Sequence, residues 1–186
     1  MTRIFQLGWT EEKIIVGCRK GDRKAQQQLY EKFAGKMLST CRRYTKSIED
    51  AEEVLSNGFI KVFSKFDSYR GDGALEGWLR KIMVRESLNY IRYQKNLFVE
   101  VNLEQVDQKE TADSDAKESA DLLIELIDRL PLGYRTVFNL FAIEGYNHKE
   151  ISEMLEISEG TSKSQLSKAR QQLQSYIQEQ KLTAVK

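Results

Sequence analysis

Residues 147–173, NHKEISEMLEISEGTSKSQLSKARQQL, decide the fold. Asn147 with Glu150 three residues on has the spacing of an N-cap and its reciprocal partner, so a helix opens there. Ile151, Met154 and Leu155 follow on one face. EIS (156–158) reads as a tight connection in which Ile157 plugs the corner and Ser158 caps a second helix. The second helix has a narrow inner stripe of Thr161, Leu166, Ala169, Leu173, Tyr176 and Ile177. Its other face carries Lys163, Ser164, Gln165, Lys168, Arg170 and Gln171. A short helix, a tight turn and a second helix with a basic, amide-rich face is helix-turn-helix logic. The major groove admits such a helix, where glutamine pairs with adenine and lysine or arginine with guanine or phosphate. A solvated helical hairpin is the alternative reading of the same pattern.

Immediately upstream, DLLIELIDRL (121–130) is a short amphipathic stretch closed by Pro131, which disfavours helix at the residue before it. YRTVFNLFAIEG (134–145) is another, ending at Gly145 in the usual left-handed exit position. His148 is the one histidine; it stands at a helix start with no partner in sequence and reads as a surface residue. Farther upstream, residues 97–120 lose helical periodicity, and residues 100–121 hold eight Asp/Glu against two Lys/Arg. That stretch is an acidic linker.

Residues 10–96 form a separate helical set. A first helix starts after Thr10, with Glu11 and Glu12 in its first turn and Ile14, Ile15 and Cys18 inward. Gly21-Asp22 stops it and caps the next. From Arg23 to Tyr44 the apolar set Ala25, Leu29, Tyr30, Phe33, Met37, Leu38, Cys41 and Tyr44 recurs at three- and four-residue steps. A third helix opens at Ser47, with Asp50 in the capping-box position and Ala51, Val54, Leu55, Phe59, Val62, Phe63 and Phe66 inward. DSYRGDG (67–73) is a loop by its Asp and Gly content, and a fourth helix covers about residues 74–95. The expectation is an all-α chain of two small helical domains, an N-terminal bundle over 10–96 and a helix-turn-helix domain over 121–180, joined by the linker 97–120.

With 40% hydrophobic and 31% charged residues and one proline, the composition is globular. The cysteines, Cys18 and Cys41, fall on apolar stripes away from any metal-ligand spacing and read as small core residues. No nucleophile with its base, no carboxylate pair beside a histidine and no phosphate-cradling glycine loop stands out, so neither enzyme chemistry nor a metal or cofactor is expected. The N-terminal MTRIFQLGWTEEK is unlike a signal peptide, and no stretch approaches the roughly 18 apolar residues of a membrane span. A cytoplasmic chain without membrane insertion is expected.

Two parts of the bundle carry chemistry. KFDSYRGDGALEGWLRKIMVRESLNYIRYQKN (65–96) interleaves aromatics with bases, the composition that single-strand binding uses. Tyr69 and Arg70 lie in its loop and are the better contact residues there. Arg85, Asn89 and Arg92 share one helix face, and Trp78 reads as core or as a base contact. The helix around EDAEEVLSNGFIKVF has Glu52, Glu53, Ser56, Asn57 and Lys61 outward. Its acidic first turn either complements the helix dipole or forms a docking face.

Taken together, DAEEVLSNGFIKVFSKFDSYRGDGALEGWLRKI and RLPLGYRTVFNLFAIEGYNHKEISEMLEISEGTSKSQLSKARQQL, in this order, resemble the second and fourth conserved regions of extracytoplasmic-function (ECF) sigma factors, the minimal two-domain sigma subunits of bacterial RNA polymerase. The resemblance implies a transcription initiation factor that binds core polymerase, recognises −35 and −10 promoter elements and assists melting. A stand-alone helix-turn-helix regulator is the alternative. Carried over by residue, Asp50, Glu52, Glu53, Asn57, Phe59 and Lys61 match the helix that docks on the clamp coiled coil of the largest polymerase subunit. Tyr69, Arg70, Trp78, Arg85, Asn89 and Arg92 match the −10 element contacts. Thr161, Lys163, Ser164, Gln165, Lys168 and Arg170 match the −35 recognition helix. The polymerase flap, promoter DNA and an anti-sigma protein are the further partners implied. Ser56-Asn57 stands where the family usually has Gln-Glu, and GTSKSQL where it often has GTVKSRL. Ser162 thus replaces an apolar residue, and a serine inside a helix corner is tolerated if it bonds back to a carbonyl.

Overall fold

Caps set the boundaries of the N-terminal helices. The Thr10 hydroxyl accepts from the Lys13 amide and opens α1, Glu11–Arg19; Gly21, at φ 70°, turns the chain, and the Asp22 carboxylate accepts from Lys24 N to open α2, Arg23–Arg42. Ser47 caps α3, Ile48–Ser64, by accepting from Asp50 N at 3.1 Å. A 3₁₀ turn, Phe66–Ser68, leads through a loop to α4, Leu75–Glu100. The computed structural model describes residues 9–100 and 119–183, with side chains described for 9–94 and 122–180. Residues 101–118, most of the expected linker, lie outside the described residues.

The chain divides into two compact units, Met1–Val101 and Asn102–Lys186. In the first, α1 to α4 close around one core that includes Ile14, Leu29, Phe33, Met37, Val54, Phe59, Phe66, Leu79 and Met83. Both cysteines are buried there. Gly58 lets α3 approach α4, for a Cβ at that point would run into the Met83 sulfur.

The second unit is smaller. α5, Ser119–Asp128, precedes Pro131; α6, Leu132–Phe138, continues as a π turn over Asn139–Ile143, sealed by the Glu144 amide donating to Asn139 O at 2.9 Å. Gly145 exits at φ 80°. α7, His148–Leu155, has the full reciprocal cap: Glu150 N donates to Asn147 Oδ1 at 3.0 Å and Asn147 N to Glu150 Oε2 at 2.8 Å. The corner to α8, Glu159–Thr183, is made by Glu156 in the left-handed conformation (φ 57°, ψ 44°) and by the Ile157 amide reaching Ser152 O. Leu126, Ile127, Leu130, Ala169 and Leu173 are the centre of the core, flanked by Tyr134, Phe138 and Tyr176.

Sequence and structure differ in two elements. α4 does not stop near residue 95 but reaches Glu100, since propagating a helix is favourable until a breaker appears and no glycine or proline follows Gly77 in it. The 134–145 helix is not continuous α: its second half is the π turn. Among the described residues there is no strand, and no helix is long and apolar enough to cross a membrane.

Candidate nucleic-acid interface

On α8, Lys163, Ser164, Lys168 and Arg170 are exposed on the outward side. Thr161 and Gln165 lie half-buried on the flank. The Thr161 amide is held by Ser158 Oγ at 2.9 Å, and its hydroxyl meets the same oxygen at 2.8 Å. The Gln165 amide lies over Gly133 of α6, 3.5 Å from where a Cβ would stand there. Ser167 and Gln171 are exposed beside the lysines. Ser167 was not among the expected contacts, although a spacing of four from Lys163 puts it on the same face.

Two expectations at the corner are corrected. Ser162 is 0% exposed, and its hydroxyl does not turn back to its own helix but meets His148 Nδ1 at 2.9 Å. His148 is therefore no ordinary surface residue. Its ring is half-buried and stacks on Phe141 of the π turn, with centroids 4.7 Å apart and planes at 24°.

In the N-terminal unit the loop after α3 is built around aromatics. Tyr69 is only 7% exposed. Its ring packs 5.4 Å from Trp78 and 6.3 Å from Phe66, and its hydroxyl donates to Gly73 O at 2.8 Å. Burial of Tyr69 came from packing that loop composition does not reveal. Arg19 Nη2 of α1 donates to the Tyr69 carbonyl at 2.7 Å, a brace fifty residues away in sequence. Arg70 is exposed. Beside these residues lies a cleft of about 350 Å³, lined by Tyr69, Arg70, Asp72, Gly73, Trp78 and Lys81 among others. A cation at its edge and rings in its wall suit an unstacked base, and stacking one base contributes about 1–3 kcal/mol.

Arg85, Asn89 and Arg92 are exposed on α4, and Tyr93 joins them at 64% exposure. Asn89 Nδ2 donates to Glu86 Oε1 at 3.3 Å, and Glu86 also holds Lys61 of α3 at 2.6 Å. Glu86 thus ties the expected docking face to the expected DNA face, a link that sequence spacing does not display.

On α3, Glu52, Glu53 and Asn57 are exposed. Phe59 faces the other way, 3% exposed and 4.7 Å from the Tyr30 ring. The apolar residue on the outward side is Ile60, at 65% exposure, a helical turn from Asn57. Asp50 is half-buried, and the Tyr90 hydroxyl, then Ser47, holds its carboxyl below the usual value. Burial first, then that carboxylate, pushes Tyr90 up to about 12.

Comparison with known proteins places both units in one family. Residues 29–97 match the sigma-70 region 2 profile and residues 120–173 the sigma-70 region 4 profile. The ECF RNA polymerase sigma-E factor of Haemophilus influenzae is 27% identical over 183 residues, covering 91% of this chain and 96% of that one. The sigma-E factor of Escherichia coli K12 is 26% identical over 182 residues, covering 91% and 95%. Among solved structures, the sigma factor RpoE from Bartonella quintana, in complex with the anti-sigma factor NepR, superposes with a TM-score of 0.54 at 19% identity, covering 82% of this chain and 96% of that chain. CnrH, in complex with the cytosolic domain of CnrY, gives 0.50 at 18% identity, covering 89% and 95%.

Proposed function

From the premise that this chain belongs to the sigma-70 family and is an ECF sigma factor, we propose how its surfaces divide the work of transcription initiation. The protein binds core RNA polymerase and directs it to promoters. The observation that carries this is the presence of regions 2 and 4 in order on one chain, with an acidic-led outer face on α3 and a basic outer face on α8. A stand-alone repressor would need only the latter.

In this reading Glu52, Glu53, Asn57 and Ile60 meet the clamp coiled coil of the largest polymerase subunit, Asp50 and Lys61 holding the flank of that face against α4. Arg70 and the cleft beside Tyr69 and Trp78 take an unstacked base of the −10 element. Arg85, Asn89 and Arg92 contact the adjoining strand. Lys163, Ser164, Lys168 and Arg170 lie along the −35 major groove, with Thr161 and Gln165 at its edge. The flap of the polymerase and an anti-sigma protein complete the set of partners, the latter by analogy with the complex of RpoE and its anti-sigma factor NepR. The working compartment is the cytoplasm, where core polymerase is found. The chemistry of polymerisation belongs to the partner enzyme.

Lys163→Ala with Lys168→Ala tests the groove assignment. Each phosphate contact adds about 0.9 to the slope of log affinity against log salt, so the double variant should flatten the slope of holoenzyme binding by about two. An unchanged slope takes α8 off the DNA. Run-off transcription with added core enzyme tests the wider assignment, and the absence of any promoter-dependent transcript would overturn it.

A further inference from the structure

A serine with no exposed surface is costly unless its hydroxyl is bonded. Two other buried hydroxyls close back onto their own helix: Ser87 Oγ donates to Met83 O at 2.9 Å and Thr136 Oγ1 to Leu132 O at 2.7 Å. Such bonds say nothing about where the helix sits. Ser162, in the first turn of α8, instead meets His148 Nδ1, on the first residue of α7. The His148 backbone is fixed by the Asn147–Glu150 cap beside it, and its ring lies flat on Phe141 of the π turn. The Arg170 guanidinium sits 5.7 Å from the centroid of the same Phe141 ring. The contacts therefore leave α8 at Ser162, cross α7 and the π turn, and return to α8 at Arg170, two turns farther on.

We propose that this Ser162–His148–Phe141–Arg170 column is a positioning device for the recognition helix: it sets the rotation and depth of α8, and so which bases its outer face meets. The proposal rests on the reading that α8 enters the major groove. Two anchors on one helix, two turns apart, one within the inner stripe at Ser162 and one at its edge at Arg170, oppose both rolling and sliding. An apolar stripe alone resists rolling but permits small slides. His148 and Ser162 are positioning residues that touch no base themselves. Without the hydroxyl, the imidazole loses its partner, the first turn is held less firmly, and a specific complex must order it on binding.

The test uses holoenzyme made from the full chain and core polymerase. A duplex library randomised over about ten base pairs, one helical turn, is selected with the wild-type protein. The best duplex and a scrambled one are then the probes. Ser162→Ala and His148→Ala should each lower the ratio of affinities for the two probes roughly tenfold, the effect of one orphaned buried polar group. The pair Ser162→Ala with His148→Phe, which removes both polar atoms and keeps a ring on Phe141, should recover most of the ratio. Loss of folded protein would weaken both probes equally and leave the ratio unchanged, and thermal melting of each variant measures it separately. If a single variant does not fold, Ser162→Thr, which retains the hydroxyl, must keep the ratio within about threefold of wild type. An unchanged ratio in the single variants, or a double variant as poor as their product, overturns the column. In that case a flattened salt slope in the Lys163→Ala, Lys168→Ala protein would leave the groove assignment standing, whereas an unchanged slope would remove both.

Discussion

The two units differ in how far their buried polar groups reach. In the N-terminal unit Thr40, Thr45 and Ser87 are buried, and each donates to a carbonyl four residues earlier in the chain. Tertiary position there comes from a broad apolar core with a ring cluster at one end. In the C-terminal unit Thr136 bonds back to Leu132 O in the same way, but two other buried polar residues reach across elements. Arg135 of α6 donates to the Asp128 carbonyl at the end of α5 at 3.1 Å, and Ser162 of α8 meets His148 of α7. The difference follows from size: a small unit encloses too little apolar surface to orient its helices by packing alone. Directional bonds do the orienting where an area-driven core cannot.

Substitutions sharpen this contrast, the largest first. Phe66→Ala removes a ring that packs on Trp78 and Tyr69, and should destabilise the N-terminal unit by about 3–5 kcal/mol. Both tryptophans, Trp9 and Trp78, lie in that unit, so the urea midpoint followed by tryptophan fluorescence reports it alone. Arg135→Ala should cost the C-terminal unit about 2–4 kcal/mol in lost packing and bonding, visible by circular dichroism without moving the tryptophan transition. Burial already holds the Arg135 guanidinium below its ordinary value, so Arg135→Met, which keeps the stem and discards the buried charge, should lose less. An equal loss in both variants would mean that the bond to Asp128, not packing, dominates.

Arg19→Ala cuts the brace on the Tyr69 carbonyl without touching the core. Open-complex formation, followed by stopped-flow fluorescence, should slow roughly tenfold while the bundle unfolds near its wild-type midpoint. An unaffected rate would mean that the aromatic packing holds the loop unaided. A modest pH effect comes from Asp50. Its carboxyl is depressed in the folded state, so its contribution to stability is complete above the unfolded value and is lost as pH falls through the lower folded one. Asp50→Asn should flatten that acid limb in urea midpoints measured at successive pH values. The smallest expected effect is on the thiols. Burial pushes Cys18 and Cys41 up to about 11, and both are in the N-terminal unit, so native protein at pH 8 should resist alkylation until that unit opens. Mass spectrometry of the alkylated chain reads this directly.

Much of the architecture was legible because local chemistry carries it. The caps at Thr10, Asp22, Ser47, Asn147 and Ser158, the turn at Gly21 and the exit at Gly145 all rest on contacts within a few residues. The three- and four-residue apolar steps of α2 mark its buried face for the same reason. The sites were less legible because their geometry is made between elements. Tyr69 sits in loop-like sequence yet is walled in by Phe66 and Trp78. Phe59 belongs to the expected docking helix by position but points at Tyr30, leaving Ile60 outward. His148 looked solitary because its partners stand seven and fourteen residues away, brought to it by a π turn and a corner.

The corner itself has a consequence for how the protein can change. Glu156 occupies a left-handed conformation in which glycine would be more comfortable. Glutamate there carries a local strain of about 1 kcal/mol, yet it also denies the chain the many other shapes a glycine would explore when unfolded. The two terms nearly cancel in stability and do not cancel in stiffness. A glycine at 156 would make the joint a hinge, and glutamate makes it a bracket. With α8 in the groove as proposed, the corner would present its outer face at one angle, and adaptation to a new promoter would come from the side chains along that face or from bending of the DNA.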